Sequence, residues 1–548
     1  MDRAMQRQLH VRAGALLCAL AVLLLPTATA CGAGPGMPDV RTGDYSTVAA
    51  YFEQAKKNES ELIAFLHKMP KGADLHNHPG GAIYGESVVD SAVSNDFLFD
   101  RQEKAFIEMS ADLLAASRDR YFSSRDIVGD FWKTCEVLDG LAMRNFEKQE
   151  EVRATHFFRA FDRYGKARPE KDAQFDELIR RAISQRIGYM ELMTTPPGFE
   201  TSADVEAYKH FQASLDQRVA GILNSDEYRD ISPDLSLDIA FTLTLSRGTM
   251  PKNAIGKGFV FKKDAGGFGI TITPGWESYL AKSGDFADAY GKSFRADVRS
   301  AMERVQALRK GESASGDLRV YGITILSAED SWISRHFFDM QMQIISDERH
   351  DQSRNMGGLY FNLHAGELTL EYSPYEPLRN RISRTIEWGG AKRIGHGISI
   401  AWEDNTYDLL QKMRKEKIAV EICLTSNEKI LDVHGREGHP FMLYMRAGVP
   451  MVLCTDDEGI SRSNLTMEFA KAAKWFGLSY GQMKWLAFNS LEYSFLPGES
   501  LFEDGDYNRK KSVIPAGSKK AAKQVQLLRA FRNFEQRMAR EVRETFVL

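Results

Sequence analysis

Four short segments of this chain carry side chains that could do chemistry together. His76-Asn77-His78 places two imidazoles two residues apart, and on a strand such residues face the same side. His364 is followed by Ala365-Gly366-Glu367, His396 lies between Gly395 and Gly397, and Asp456 adjoins Asp457. Each has an ordinary explanation when taken alone. A stray His-x-His is common, a histidine at a strand end is usually a satisfied core residue, and an Asp-Asp pair is usually a solvated turn. As a set they differ, because three histidines and an aspartate can hold Zn²⁺ and leave one position for water.

Such a set needs elements that bring its members to one place. Eight runs have β character: Ala73–His76, Gly188–Met193, Leu237–Leu245, Val320–Leu326, Leu359–His364, Arg393–Gly395, Ile418–Leu424 and Pro450–Cys454. Amphipathic segments of helical length separate most of them, which predicts parallel βαβ units. Eight is also the closure number of a TIM (β/α)8 barrel, whose enzymes keep their sites at the C-terminal ends of the strands. Strands one, five, six and eight each end in a candidate His or Asp.

The expected fold is therefore an α/β TIM barrel over residues 70–502. Residues 44–69 read as an N-terminal helical extension. A long insertion after strand one, 84–185, reads as mostly helical, and a second insertion covers 246–318. Residues 503–520 read as a charged loop. Beyond 520 an amphipathic C-terminal helix (Val525, Leu528, Phe531, Phe534, Met538, Val542) is expected to dock on the barrel.

Residues 1–30 read as an export signal. Arg3, Arg7 and Arg12 precede an apolar run, Ala13 to Leu25, too short for a bilayer span of ~20 residues. Ala28-Thr29-Ala30 is a small-residue cleavage pattern, and Cys31 follows at once, as the lipidated cysteine of a bacterial lipoprotein would. Plain secretion is the alternative. Residues 31–43 form a Gly- and Pro-rich linker. The expected location is the periplasm or cell envelope as a lipoprotein, or otherwise outside the cell. Cys135, Cys423 and Cys454 show no disulfide spacing, and the last two lie in apolar runs as small buried hydrophobes. The 548 residues are 43% hydrophobic and 27% charged with net charge −4, which excludes bulk disorder. The near-neutral balance also argues against a nucleic-acid partner, which would require a basic face.

Several stretches together resemble the ordered signatures of the adenosine deaminase family. They are Met69-Pro70-Lys71-Gly72-Ala73-Asp74-Leu75-His76-Asn77-His78, His364-Ala365-Gly366-Glu367, Arg393-Ile394-Gly395-His396-Gly397, Glu421-Ile422-Cys423-Leu424-Thr425-Ser426-Asn427 and Thr455-Asp456-Asp457. Gly322 to Leu326 with Glu329-Asp330, His439-Pro440 and Asn489 to Ser494 extend the likeness over roughly residues 45–500. The N-terminal helices and the insertion after strand one are similar to the secreted branch, the adenosine-deaminase-related growth factors. The resemblance implies a barrel of the metal-dependent hydrolase type. It implies one zinc per chain on His76, His78, His364 and Asp456, supplying Lewis acidity that brings a water's pKa toward ~7. Glu367 would protonate purine N1, His396 would orient or deprotonate the water that attacks C6, and Asp457 would bond N7. Adenosine, or 2′-deoxyadenosine, would become the inosine product and ammonia.

The chain departs from the family pattern around the substrate. The family often has an acid before the glycine of the first motif, where ribose is held, and Pro79-Gly80-Gly81-Ala82 has none. Ser327, followed by Ala328, stands where a glycine amide meets ring N3, and Glu458 stands where Pro is usual. Gly81 and Ser327 remain the substrate-contact candidates. The preferred purine nucleoside, a homodimer, and membrane contact through Cys31 are left open. So are two other readings: a mononuclear-metal amidohydrolase of the same barrel acting on a related aminopurine or another C–N bond, and a non-catalytic nucleoside-binding or signalling protein. Binuclear relatives usually bridge two metals through a Lys or Glu on strand four, and Val320–Leu326 has neither. No Pro-Cys-x-x-Cys is present, which excludes the zinc cytidine-type deaminases. If Cys31 carries lipid, the protein is expected to partition into detergent and Cys31→Ser to release it into the aqueous phase. Equal partitioning of the two forms would leave plain secretion.

Overall fold

The computed structural model describes residues 45–148, 151–200, 203–229, 231, 235–248, 262–263, 270–271, 284–315, 318–351 and 359–545. The export signal, Cys31 and the linker lie outside the described residues. Eight strands form one sheet in sequential order: β1 Gly72–Asn77, β2 Ile187–Met193, β3 Asp238–Ser246, β4 Val320–Leu326, β5 Tyr360–Ala365, β6 Arg393–His396, β7 Ala419–Ile422 and β8 Met451–Leu453. Every neighbouring pair is parallel.

The sheet closes on itself through a parallel bridge between Asn77 and Asp456. The Asp456 N–H donates to the His76 carbonyl at 2.8 Å, and the His78 N–H donates to the Asp456 carbonyl at 3.1 Å. Thr455 seals the same seam, donating its hydroxyl to Asp74 Oδ2 at 2.5 Å and its N–H to Oδ1 at 3.3 Å. This is the TIM barrel that the spacing predicts. Its strands are covered on both faces, which is why they read as nearly unbroken apolar runs. Met451-Val452-Leu453 is buried throughout. Among the polar residues buried on the strands are the charged side chains of Glu191 on β2, Arg393 on β6 and Glu421 on β7.

Helices close the N-terminal end of the barrel. Asn58 caps the helix Glu59–Lys68 by accepting from the Ser60 and Glu61 N–H groups, and Glu59 and Glu61 suit the positive end of its dipole. Its Phe65 packs edge-on against Phe534 of the terminal helix Lys519–Thr545, with centroids 5.3 Å apart, and meets Phe52 of the helix Tyr45–Ala55 at 5.1 Å. Gly72, which opens β1, has φ +75°, and a Cβ there would sit 2.2 Å from the Ala487 carbonyl oxygen. Only glycine lets that strand start against the helix Tyr480–Glu492.

The insertion after β1 packs over the opposite end. Its Phe99, Phe106, Val137, Leu141 and Phe157 share one buried cluster with Ile83, Ile398, Ile430 and Ile460, from the loops and short helices after β1, β6, β7 and β8. It is not only helical. Leu98–Asp100 pairs antiparallel with both Ala105–Ile107 and Tyr121–Ser123, and the Phe99 ring lies 5.3 Å from those of Phe106 and Phe122. Those aromatics bind a small three-stranded sheet to the cluster it shares with the barrel loops. Two further expectations are corrected. Residues 503–520 are not wholly loop, since Phe502–Glu503 pairs with Asp506–Lys510. Tyr507 anchors that hairpin by burial against Phe488 and a 2.7 Å bond from its hydroxyl to Asn489 Oδ1. Leu424 belongs not to a strand but to the helix Leu424–Leu431, where buried Glu468 accepts the Thr425 N–H at 3.0 Å.

Candidate metal centre and active site

The seam between β1 and β8 brings His76, His78 and Asp456 together, and β5 adds His364. Asp456 Oδ1 lies 3.3 Å from Nε2 of both His76 and His78, and His78 Nε2 lies 3.3 Å from His364 Nε2. One ligand atom from each of the four falls within 4.8 Å of the others. Four ligands at 2.0–2.1 Å around one ion have edges of about 3.3–3.4 Å, and these three separations are compatible with four groups sharing one ion. His76 Nε2 is buried without a hydrogen-bond partner. Burial opposes charging His76, yet Asp456 and Glu421 outweigh it and raise its pKa to about 10. The cluster therefore favours a positive charge between its carboxylates. Burial, with the neighbouring imidazoles, pushes His364 far below the usual range and keeps it neutral, as a ligand must be.

A second layer holds these groups. Glu421 Oε2 meets His76 Nδ1 at 2.7 Å, which keeps a proton on Nδ1 and leaves Nε2, facing the cluster, as the nitrogen that would give up its proton to bind a metal. Arg393 donates to Glu421 at 2.5 Å and to Glu191 at 2.6 Å, and all three side chains are buried. Glu191 accepts in turn from the Phe495 N–H at 2.6 Å. On the β5 side, Arg247 donates to the His364 carbonyl at 2.9 Å. Buried Glu329 accepts the N–H groups of Gly366 and Glu367 at 3.0 and 3.2 Å, fixing the loop that carries both a ligand and a carboxyl group.

Two carboxyls beside the cluster differ from Asp456. Burial, reinforced by Asp456 and Glu329, drives Glu367 well above the usual carboxylate range. Burial and Asp456 do the same to Asp457. Glu367 Oε1 and Asp457 Oδ1 are buried with no hydrogen-bond partner, so both groups are poised as proton donors toward whatever enters. Gly81 is adapted to this arrangement, because a Cβ there would lie 1.8 Å from Asp457 Oδ1. Ser327, directly after β4, has φ +97°, and its hydroxyl shares a 2.9 Å bond with Ser246. His396 and Asp456 also have positive φ, so three members of the site hold strained backbone.

His396 lies outside the ligand set but beside it, with Nδ1 3.6 Å from Glu367 Oε1. A hydrogen-bond chain assigns its tautomer. The Phe441 N–H must donate, so His439 Nδ1 accepts at 3.1 Å. Burial lowers the His439 pKa to about 3, so its single proton is on Nε2, which donates to Asn427 Oδ1 at 3.3 Å. Asn427 then turns its amide N–H toward His396 Nδ1 at 3.1 Å. His396 is kept neutral by burial, with pKa about 3, and so carries its proton on Nε2.

Glu191, Glu421, Arg393, Glu329, Asn427, His439 and Arg247 were not among the sequence-derived site residues. Five of them lie inside the quoted motifs. Glu191 and Arg247 have no motif, and only the fold brings them here.

Residues 329–502 match the family profile described as adenosine deaminase. Adenosine deaminase from Enterococcus faecalis is 38% identical over 107 residues, 20% of this chain and 31% of the relative. Human N6-methyl-AMP deaminase is 36% identical over 182 residues, 31% of this chain and 49% of the relative. The chain thus spans about a third to a half of the length of these curated relatives. An adenine deaminase structure from Arthrobacter aurescens aligns with TM-score 0.46 and 16% identity, over 85% of this chain and 99% of that one.

Glu421→Gln should weaken zinc binding by ~10–100-fold while leaving the fold intact, because it removes the charge that orients His76. Titration of apoprotein with zinc against a chelator of known affinity measures this. Unchanged affinity would mean that the His76–Glu421 contact does not serve the metal.

Proposed function

We propose that this chain, whose residues 329–502 carry the adenosine deaminase family signature, removes the exocyclic amino group of an adenosine-type purine by hydrolysis. One observation carries the reading: a His-His-His-Asp cluster lies beside two buried carboxyls whose surroundings keep their protons on. The two curated relatives support it by name, one acting on adenosine and the other on N6-methyl-AMP. His76, His78, His364 and Asp456 would hold one zinc, which supplies the Lewis acidity that makes water a nucleophile at neutral pH.

The chain's own groups account for the rest. Protonated Glu367 delivers its proton to ring N1 as C6 is attacked, so charge does not build up on the ring. Protonated Asp457 donates to N7, an acceptor, and fixes the ring's orientation. His396 presents Nε2–H and acts as a donor that orients the attacking water and steadies the negative charge that develops. In this tautomer its Nε2 has no lone pair with which to take a proton, which favours the orienting role over the deprotonating one. The proton released by the attacking water passes to the departing amino group, and as the tetrahedral carbon collapses the C6 hydroxyl returns its proton to Glu367, so ammonia leaves and the carboxyl is regenerated.

The N-terminal helices and the insertion after β1 support placement in the secreted branch. The segment from Arg3 to Cys31 supports export with a lipid anchor. Both belong to the same proposal.

Glu367→Gln keeps shape and hydrogen bonding but has no proton to give. It is expected to retain about one zinc per chain by elemental analysis and to lose at least ~10²-fold in adenosine turnover, followed by loss of absorbance at about 265 nm. Turnover within a few-fold of the parent would remove Glu367 as proton donor and favour a different hydrolase chemistry. Asn427→Asp sets a carboxylate against His396 Nδ1 and draws the proton there from Nε2. Turnover should fall by at least ~10²-fold with zinc retained. Unaltered turnover would show that the His396 tautomer is immaterial.

A further inference from the structure

The insertion contributes one charge to the barrel mouth that the reaction described above does not use. Arg168 follows the short turn Gly165–Ala167 and reaches the first catalytic loop, where it donates to the Gly80 carbonyl, two residues beyond His78. A second donor reaches the Phe161 carbonyl at 3.4 Å, and the guanidinium lies 4.9 Å from the centroid of the Tyr164 ring. Tyr164 is itself pinned, its hydroxyl donating to the Ile83 carbonyl at 2.9 Å. The arginine is thus held in place by contacts that consume two of its five N–H groups.

Its neighbours are paired with acids and it is not. Arg181 meets Glu177 at 3.1 Å and Glu458 at 3.3 Å, Arg462 meets Glu86 at 2.6 Å, and Arg163 meets Glu151 at 2.5 Å. Among the described residues no carboxylate lies within 4.0 Å of Arg168. Burial disfavours its charge, and the groups near enough to offset this are Tyr164 and, among carboxyls, Asp457. Space is available beside it. A Cβ placed on Gly80 would meet one atom within 4 Å apart from its chain neighbours, Arg168 Nη1 at 3.8 Å. The space beside Gly80, two residues beyond His78, is therefore open and borders a fixed, half-buried guanidinium with no carboxylate partner. That group is suited to bind phosphate through a fork of parallel N–H groups.

We infer that Arg168 selects a substrate bearing an anionic group away from the reacting ring, a purine nucleoside monophosphate rather than the uncharged nucleoside. The inference rests on the deaminase reading and deepens it. Arg168 binds and does not react. Its contribution lies in substrate affinity, and it offsets the repulsion that ionised Asp456 would otherwise exert on a phosphate.

The test compares AMP with adenosine, using ammonia release by the zinc-loaded full-length protein, its Arg168→Gln variant and its Arg168→Lys variant. The wild type is expected to favour AMP in kcat/KM by at least ~10-fold. Arg168→Gln should reduce that ratio by at least ~10-fold, mainly by raising KM for AMP, and Arg168→Lys should restore part of it. Raising the salt from 50 to 500 mM should raise KM for AMP more than KM for adenosine. Because both substrates are measured on each variant, general damage to the fold cancels in the ratio. A ratio unchanged by Arg168→Gln, or preference of the wild type for adenosine, overturns the inference and leaves the deaminase reading standing. Ammonia from neither substrate overturns both.

Discussion

The seam where the last strand of the barrel meets the first is the constraint on which the rest depends. Two backbone hydrogen bonds, from Asp456 to His76 and from His78 to Asp456, close the sheet and at the same stroke bring three of four candidate ligands together. Closure of the fold and assembly of the site are one event. Asp74 and Thr455 reinforce it from within, and their bonds are directed at the same turn of the barrel. Positive φ at Asp456 and His396 is tolerated because the surrounding ladder over-determines both positions. A barrel with a slipped seam would lose not one contact but the whole centre.

The chemistry follows from how burial acts on groups of different kind. The same dry environment pushes carboxylic acids up and imidazoles down, so Glu367 and Asp457 keep their protons while His364, His396 and His439 lose theirs. Neutral imidazoles are what ligation and donation require, and neutral carboxyls are what proton donation requires. Asp456 and Glu421 escape the trend because each lies against a histidine or an arginine that rewards ionisation. A single dielectric setting thus sorts acids and bases into their roles, and named contacts provide the exceptions. The relay from the Phe441 backbone through His439 and Asn427 adds what burial cannot, namely which nitrogen of His396 holds its proton.

Much of this was legible in the residues. Strand spacing predicts the barrel because apolar runs covered on both faces stand out between amphipathic helices. The ligands are legible because four of the eight strand runs end in a His or Asp at the same face of the barrel. The supporting layer was harder to read. Glu421 and Arg393 lie within visible motifs, but nothing in their spacing says that an acid on β7 would brace a histidine on β1. Arg247 and Arg168 follow no motif at all, and their positions depend on how loops far apart in the chain are folded back. The small sheet at residues 98–123 was missed because its strands are three residues long, too short to show alternation against a helical background. Charge dominates residues 503–510 and gives them the pattern of a loop, whereas a single buried Tyr507 decides their hairpin.

The bonds that complete this fold join parts of the chain that are very far apart. Lys68 reaches Glu541 across 473 residues, the Ala73 N–H reaches Ser490 across 417, and Asn77 reaches Thr455 across 378. Loop-closure entropy has to be overcome before any of them forms, so topology makes the folding of this chain intrinsically slow. During synthesis the first strand emerges with its histidines long before the residues that cover it exist. For that interval an open row of strand edges and a half-built site are exposed to aggregation and to stray metal ions. Attachment of strand eight ends that exposure, and from then on the seam makes the barrel cooperative, because neither end can open without opening the other.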